Sequence, residues 1–168
     1  MNYLRMSMAL LWLTSSSLLP SLHAQEQIEV GGMTLSWKYE GASLQFEITA
    51  PNDGWVALGF NHKNDIKDTH LLMFTYANGR SLKNDLYVKA AGNPVPVGAL
   101  YAEEAVISYA CAESGKQTRV SFSIDTATYP AYSTSLKKGT TLWLICAYSE
   151  DDDFAHHSMM RKHVQVTL

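Results

Sequence analysis

The sequence predicts an all-β protein, folded as an antiparallel β-sandwich in a single domain. Two observations lead to this fold class. Short segments alternate apolar with polar residues, and clusters of turn-forming residues separate them at regular spacing. Only residues 126–139 suggest a helical turn. We therefore expect about nine or ten short strands packed as two sheets.

The individual strands follow from apolar periodicity and from the turns between them. Residues 55–60 are apolar on both faces, which is typical of a buried central strand. The turn Asn78-Gly79 closes a second buried strand and is the strongest short hairpin signal. Residues 90–102 contain two prolines and two glycines and are predicted to be an irregular connection. The predicted strands are 33–39, 44–49, 55–60, 69–76, 85–89, 105–112, 118–124, 140–148 and 164–168.

Residues 1–24 have the pattern of a secretory signal peptide. Arg5 precedes the apolar run 8–13, and Ala24 is a small residue at the expected cleavage point. The run is too short to span a bilayer, although a retained anchor is the alternative for this segment. We expect residues 25–168 to form a periplasmic or secreted domain that does not insert into a membrane.

Charge and motif content exclude several classes of function. The formal net charge is −3, and the sequence has no basic block, which argues against nucleic acid or an anionic membrane as partner. No Gly-x-Ser-x-Gly elbow and no phosphate-binding glycine loop is found. We expect a binding or electron-transfer module rather than an enzyme acting by itself.

Two cysteines, Cys111 and Cys146, lie in apolar segments predicted to be strands. An even number of cysteines in an exported protein predicts one disulfide. The alternative is two buried free thiols that pack as small apolar side chains.

The segment 151–163 has the most distinctive chemistry of the chain, because imidazole and thioether groups bind soft metals and haem iron. One interpretation is a copper site. The acidic run 151–153 suggests either a calcium site or a solvated turn. The remaining interpretation is an ordinary loop that enters a strand. The side chains concerned are Asp151, Asp152, Asp153, His156, His157, Met159, Met160 and His163.

Several motifs together resemble the DOMON domain, a family that includes the cytochrome domain of cellobiose dehydrogenase and many secreted bacterial proteins. They are Gly54 to Asn61, the Asn78-Gly79 turn, Asp85 to Tyr87, and the ending Ala147-Tyr148 with His157 and Arg161. The resemblance covers residues 33–168 and implies an immunoglobulin-like β-sandwich. Members hold one haem b or, in other cases, a carbohydrate-like ligand.

The resemblance also implies ligand residues. The axial histidine corresponds to His157, four residues before Arg161, with the adjacent His156 as the fallback. The axial methionine corresponds to Ile66, which cannot bind iron, and the glycine after the arginine is Lys162 here.

Three side chains are alternatives for the missing iron ligand. His70 lies four positions after Ile66 and shares its face if the segment is extended. Met73 has the opposite parity, and His62 lies in the preceding loop. Trp55, like other aromatic residues, is predicted either to lie in the core or to stack on a haem edge or a sugar ring.

These observations predict an exported haem b-binding module for electron transfer or haem sensing, with His157 as an axial ligand. The alternatives are a haem-free module that binds carbohydrate or a redox partner protein, and a periplasmic copper-binding protein.

Overall fold

The computed structural model describes residues 25–100, 104–129 and 134–168, which form eleven strands and one short 3₁₀ helix. The 3₁₀ helix spans Val97–Ala99. The strands are β1 Glu26–Val30, β2 Met33–Glu40, β3 Ser43–Ala50, β4 Val56–Asn61, β5 His70–Ala77, β6 Arg80–Ala90, β7 Asn93–Pro96, β8 Val106–Glu113, β9 Thr118–Asp125, β10 Thr141–Tyr148 and β11 Met160–Thr167.

The strands build two antiparallel sheets, which confirms the predicted sandwich. One sheet has five strands in the order β1-β2-β3-β9-β8, and the other has six in the order β11-β10-β4-β5-β6-β7. In β3 the buried residues alternate with partly exposed ones, as expected for a strand with one face against a core. In β4 every residue is buried, so both faces of this central strand are covered.

The main core lies between the sheets and is crossed by stacked phenylalanines. Phe122 of β9 stacks on Phe46 of β3 at a ring-centroid distance of 5.0 Å and on Phe74 of β5 at 4.8 Å. Phe60 of β4 adds a tilted contact to Phe46 at 5.5 Å. Rings from both sheets therefore meet at the centre, where aromatic pairs contribute beyond simple area burial.

The observed elements differ from the predicted ones mainly at the edges of the sheets. The edge strand β1 was not predicted, because its five residues Glu-Gln-Ile-Glu-Val are largely exposed and carry little apolar signal. The predicted irregular connection contains β7 and the 3₁₀ helix. The strand β11 begins at Met160 rather than at residue 164, so part of the predicted histidine-rich loop belongs to a strand.

Two predictions fall wholly or partly outside the described residues. The signal peptide, 1–24, lies there entirely. The segment 126–139 is described except for residues 130–133, and its described part contains turns but no helix. Among the described residues, no helix is long and apolar enough to cross a membrane.

The disulfide predicted between Cys111 and Cys146 is not formed, and both residues are buried free thiols. The reason is topological: Cys111 lies on β8, which packs against β5 and β6 of the other sheet, whereas Cys146 lies on β10, two strands away from β5 in that sheet. Burial raises the pKa of Cys111 to about 11 and that of Cys146 to about 12. The thiols therefore stay protonated and act as apolar core groups.

Candidate functional site

A second apolar cluster lies on the face of the six-stranded sheet that points away from the main core. We call it the outer-face cluster. In β4 and β5, Leu58 and Leu72 point into the main core, so the alternate residues Ala57 and Met73 point outward. The cluster consists of Trp55, Ala57, Met73, Leu86 and Ala147, with Leu71 and Phe154 packed against it.

The β10–β11 loop, residues 149–159, packs against this cluster. Phe154 contributes the side chain that packs on it. The backbone N–H of Trp55 donates to the carbonyl of Asp151 at 3.0 Å, and Ser149 N–H donates to the carbonyl of Trp55 at 3.0 Å. A β-carbon at Gly54 would lie 2.5 Å from the backbone nitrogen of Asp151, so glycine is needed for this close approach. The loop is therefore fixed against the start of β4.

The acidic run uses its carboxylates to shape this loop. Asp151 Oδ1 accepts from Asp153 N–H at 2.8 Å, and Asp153 Oδ1 accepts from Ala155 N–H at 2.9 Å. The hydroxyl of Thr75 on β5 donates to the carboxylate of Asp152. The calcium interpretation has no support here: in the described part of the chain, no three His, Cys, Asp or Glu side chains form a metal-binding group.

The loop presents His156 and His157 with exposed side chains. Its backbone is held at this point because Ser149 Oγ donates to the carbonyl of His157 at 3.0 Å. His157 therefore has a fixed backbone and an accessible ring, on the loop that covers the outer-face cluster.

The other members of the predicted copper set are dispersed. Met159 is 52% exposed, whereas Met160 packs against the main core and lies beside Gly31. His163 lies on β11, and its Nδ1 contacts Asn64 Oδ1 at 2.7 Å. Burial lowers the pKa of His163, and the charge of Arg161 lowers it further. A shared copper site would require these side chains to move together.

His70 lies on the opposite side of the sheet from Met73, within the sandwich. Its ring lies 6.2 Å from that of Phe60, which belongs to the main core. Its Nε2 contacts Asp85 Oδ1 at 2.6 Å, and its Nδ1 is bonded to the hydroxyl of Tyr129. The side chains of His70 and Asp85 have no exposed surface. Both ring nitrogens are engaged, so iron binding by His70 would require this network to open.

The loop between β4 and β5 carries Ile66 and His62. Ile66 is partly buried and His62 is exposed. The buried side chain of Asn61 organises this loop, because its Nδ2 donates to the carbonyls of Asp65 at 2.7 Å and Lys67 at 2.8 Å. Sequence reasoning assigned no role to Asn61, although it ends the Gly54 to Asn61 motif.

Trp55 has an exposed fraction of 4% and is buried in the outer-face cluster. Burial among apolar residues is one of the two roles predicted for it. Its indole Nε1–H has no hydrogen-bond partner among the described residues. A buried donor without a partner costs roughly 1–3 kcal/mol. An oxygen atom that reached this indole N–H would remove that cost.

A polar groove lies on the opposite surface of the protein, along the exposed face of the five-stranded sheet. Its volume is about 340 Å³. Ser108 and Ser123 are bonded across it at 2.5 Å, and Gln25 Nε2 donates to Ser36 Oγ at 2.6 Å. Serine hydroxyls and glutamine amides line it together with Trp37 and Phe122, whereas the outer-face cluster is wholly apolar.

The six-stranded sheet thus carries a buried apolar cluster on its outer face, and the loop that packs against this cluster bears an exposed imidazole. Residues 29–149 match the DOMON domain family, and the chain belongs to that family. The match includes Trp55 and Met73 but ends before His157. No curated protein matches the sequence.

Two solved structures have a similar fold. The cytochrome b domain of pyranose dehydrogenase from Coprinopsis cinerea has a TM-score of 0.64 and 8% sequence identity, with 86% of this chain and 81% of that chain covered. The cytochrome domain of Myriococcum thermophilum cellobiose dehydrogenase has a TM-score of 0.57 and 10% identity, with the same coverage. At these identities the similarity establishes the fold alone.

Proposed function

We propose that this protein is an exported haem b-binding module, used for electron transfer or haem sensing, with His157 as one axial ligand. The observation that carries the proposal is the position of the β10–β11 loop. This loop packs Phe154 onto the outer-face cluster and, three residues further on, carries the exposed side chain of His157. The fold that the chain shares with two cytochrome domains supports the same conclusion.

The residues of the outer-face cluster and its loop suit haem in three respects. The cluster is apolar, as the surroundings of a porphyrin ring are, and its members Ala57 and Ala147 are small residues. The ring of His157 makes no hydrogen bond with the described residues, so it is available to bind iron. The indole N–H of Trp55 offers a buried donor to an oxygen of the cofactor.

Bound haem would supply one-electron chemistry, and the chain would control its environment. Phe154 and the outer-face cluster would exclude water, which favours the less charged reduced state. Arg161 pairs with Ala147 across the sheet and shares its outer face, so its charge lies on the same surface as the outer-face cluster.

A second candidate function is carbohydrate binding by the polar groove of the five-stranded sheet. The observation in its favour is the lining of serine hydroxyls and the Gln45 amide, which matches the hydroxyl groups of a sugar. Glycan-array binding by haem-free protein would support it. Replacing Ser121 with tyrosine would fill the groove and should abolish that binding, whereas full retention would contradict it.

The first prediction tests haem binding through His157. Wild-type protein produced with ample haem should be red, with a Soret band that shifts on reduction. His157→Ala should lose or strongly alter that band, because the iron loses its imidazole ligand. The measurement is the absorbance spectrum of the oxidised and reduced protein, together with haem content per chain.

His156→Ala is the matched control, because His156 is an exposed histidine on the same loop. Its spectrum should equal that of wild type. A colourless wild-type protein would contradict haem binding, and an unchanged spectrum in His157→Ala would contradict the ligand assignment. Recovery of the mature protein from the periplasm or medium, with Gln25 first, would test export separately.

A further inference from the structure

A chain of hydrogen bonds within the sandwich links Tyr129, His70 and Asp85, and the proposed haem function does not use it. His70 Nδ1 is bonded to the hydroxyl of Tyr129, and His70 Nε2 contacts Asp85 Oδ1 at 2.6 Å. Asp85 Oδ2 accepts the backbone N–H of Ala105 at 3.0 Å. The side chains of His70 and Asp85 have no exposed surface, whereas Tyr129 is partly exposed. The tyrosine end of this chain of bonds is therefore the end nearest to solvent.

The partners of each group fix where its hydrogen atoms lie. Both carboxylate oxygens of Asp85 face a nitrogen, and a carboxylate accepts at both oxygens. His70 Nε2 therefore carries the hydrogen of the neutral imidazole, and Nδ1 is the acceptor nitrogen. It follows that Tyr129 donates its phenolic O–H to the basic nitrogen of His70.

This arrangement favours loss of one electron by Tyr129. Oxidation of a phenol makes its O–H strongly acidic, so the electron leaves more readily when a base already accepts that hydrogen. Transfer of the proton to His70 Nδ1 needs no movement of either residue, because the hydrogen bond exists beforehand. The imidazolium formed lies beside the buried carboxylate of Asp85, where the attraction between opposite charges is stronger than in water.

Two other tyrosines show what is particular to Tyr129. The hydroxyl of Tyr39 donates to the carbonyl of Leu136 at 2.8 Å, and a carbonyl is not a base. Burial raises the pKa of Tyr39 to about 12, so its proton is harder to remove. Tyr87 donates to Asp68 Oδ1 at 3.1 Å, and a carboxylate is a weaker base than an imidazole.

We propose that Tyr129 is a redox-active tyrosine that reduces strong one-electron oxidants, such as a peroxyl radical. The oxidant takes one electron from the phenol, which converts the peroxyl radical to a hydroperoxide anion. The phenolic O–H bond breaks, and the proton moves along its hydrogen bond to His70 Nδ1. The products in the protein are a neutral tyrosyl radical and an imidazolium that keeps its Nε2 hydrogen on Asp85. Return of one electron from a reductant restores the phenol, because the proton then moves back.

This inference does not depend on the proposed haem function. His70 lies inside the sandwich beside Phe60, on the other side of the sheet from the outer-face cluster. A colourless protein that forms the tyrosyl radical would contradict haem binding and leave the role of Tyr129 intact.

The test oxidises the full-length protein with trisbipyridine ruthenium(III), generated by a laser flash, and follows the absorption band of the tyrosyl radical. Wild type should form the radical in a fast phase that slows in heavy water, because a proton moves with the electron. Tyr129→Phe should lose this phase. Tyr39→Phe is the matched control and should keep it, because Tyr39 is bonded to a carbonyl.

Two further variants test His70 as the proton acceptor. A positioned base typically contributes about 100- to 10,000-fold to a proton transfer, so His70→Gln should slow the fast phase by about 100-fold or more. In Asp85→Asn, the single acceptor oxygen can serve the N–H of Ala105 while the amide donates to His70 Nε2, which moves the ring hydrogen to Nδ1. Nδ1 can then no longer take the phenolic proton, and the fast phase should slow in a protein that remains folded by circular dichroism.

The outcomes decide the inference even if a buried variant fails to fold. Absence of the fast phase in wild type, or its full retention in Tyr129→Phe, would overturn it. Full retention in folded His70→Gln or Asp85→Asn would show that His70 does not take the proton, and would overturn it as well. If neither of these two variants folds, loss of the fast phase in Tyr129→Phe together with its retention in Tyr39→Phe supports the inference.

Discussion

His70 and Asp85 form a buried pair whose hydrogen bonds stabilise the fold rather than bind a ligand. Asp85 uses both carboxylate oxygens: Oδ1 contacts His70 Nε2 at 2.6 Å, and Oδ2 accepts from the N–H of Ala105 at 3.0 Å. His70 in turn is bonded to Tyr129. This chain of bonds ties the connection before β8 and the connection after β9 to the centre of the six-stranded sheet. We therefore assign these residues a structural role.

The second prediction concerns Asp85 at this residue scale. Asp85→Ala should lower the free energy of unfolding by about 3–5 kcal/mol, because it leaves His70 and the Ala105 N–H buried without their acceptor. Asp85→Asn should cost less, because its amide can pair with the other tautomer of the imidazole. Urea denaturation followed by circular dichroism measures both values.

The control is Asp125→Ala. Asp125 Oδ1 also accepts a backbone N–H, that of Ala127, at 2.8 Å, but at an exposed turn. The expected loss is about 0.5–1 kcal/mol, since water can replace the lost acceptor. Equal losses at Asp85 and Asp125 would refute the structural role of the buried network.

The sequence predicts which residues share a face of a strand, but it does not predict what surrounds each of them. Alternation along an extended segment places His70 and Met73 on opposite faces, and the structure has them so. The sequence does not show which face carries the outer-face cluster, because both faces of β5 are buried. It also does not show that Asp85, fifteen positions away, would bind the ring of His70. That contact depends on the register of two strands.

At the scale of elements, the β10–β11 loop and the start of β4 form one unit. Backbone bonds between Trp55 and residues 149 and 151 continue the pairing of the two strands. Gly54 permits this contact, because a β-carbon there would lie 2.6 Å from the carbonyl oxygen of Ser149 as well as close to Asp151. The unit fixes the loop that carries His157.

The third prediction tests this unit with Gly54→Ala. The added methyl group meets backbone atoms, which cannot rotate away, so the loop must shift. We expect a loss of about 2 kcal/mol in unfolding free energy, typical of overpacking, and weaker retention of the haem proposed above. Denaturation and haem content per chain are the two measurements.

Gly98→Ala supplies the matched control. A β-carbon at Gly98 meets no atom within 4 Å. Its unfolding free energy should stay within about 0.5 kcal/mol of wild type, with normal haem content. If Gly54→Ala behaved like Gly98→Ala, close packing of the loop would not be what positions His157.

Strands with an apolar face were predictable from sequence, and strands defined by pairing alone were not. Residues 44–49 alternate clearly and lie within β3, extended by one residue at each end. The edge strand β1 forms because residues 26–30 pair with β2, although few of its side chains are buried. Similarly, residues 160–163 extend β11 because Ala147 and Ile145 of β10 are available to pair with Arg161 and His163.

At the scale of the whole molecule, the two sheets share one core, but the chemical character of their outer faces differs. The five-stranded sheet presents a polar outer groove, and the six-stranded sheet presents an apolar cluster under a loop. Both sheets bury their other face against the same phenylalanine stack. In the described part of the chain the two sheets share one core, so they should fold and unfold together.

The fourth prediction is that this shared core makes unfolding a single transition, which Phe122→Ala shifts as a whole. Phe122 is 3% exposed and contacts Phe46 in its own sheet and Phe74 in the other. Removing its ring should cost about 3–5 kcal/mol and lower the melting temperature by roughly 10 °C. Leu82→Ala, at a residue that is 42% exposed, should change stability by less than about 0.5 kcal/mol.

Tryptophan fluorescence can test whether the sheets unfold together, because Trp37 lies on β2 of one sheet and Trp143 on β10 of the other. Variants that keep only Trp37 or only Trp143, with Trp55 also replaced, would report on each sheet separately. Their denaturation curves should coincide with each other and with circular dichroism, in wild type and in Phe122→Ala alike. If Phe122→Ala moved the Trp37 transition while leaving the Trp143 transition in place, the sheets would be independent units. The stacked phenylalanines would then stabilise only the five-stranded sheet and would not couple the two sheets.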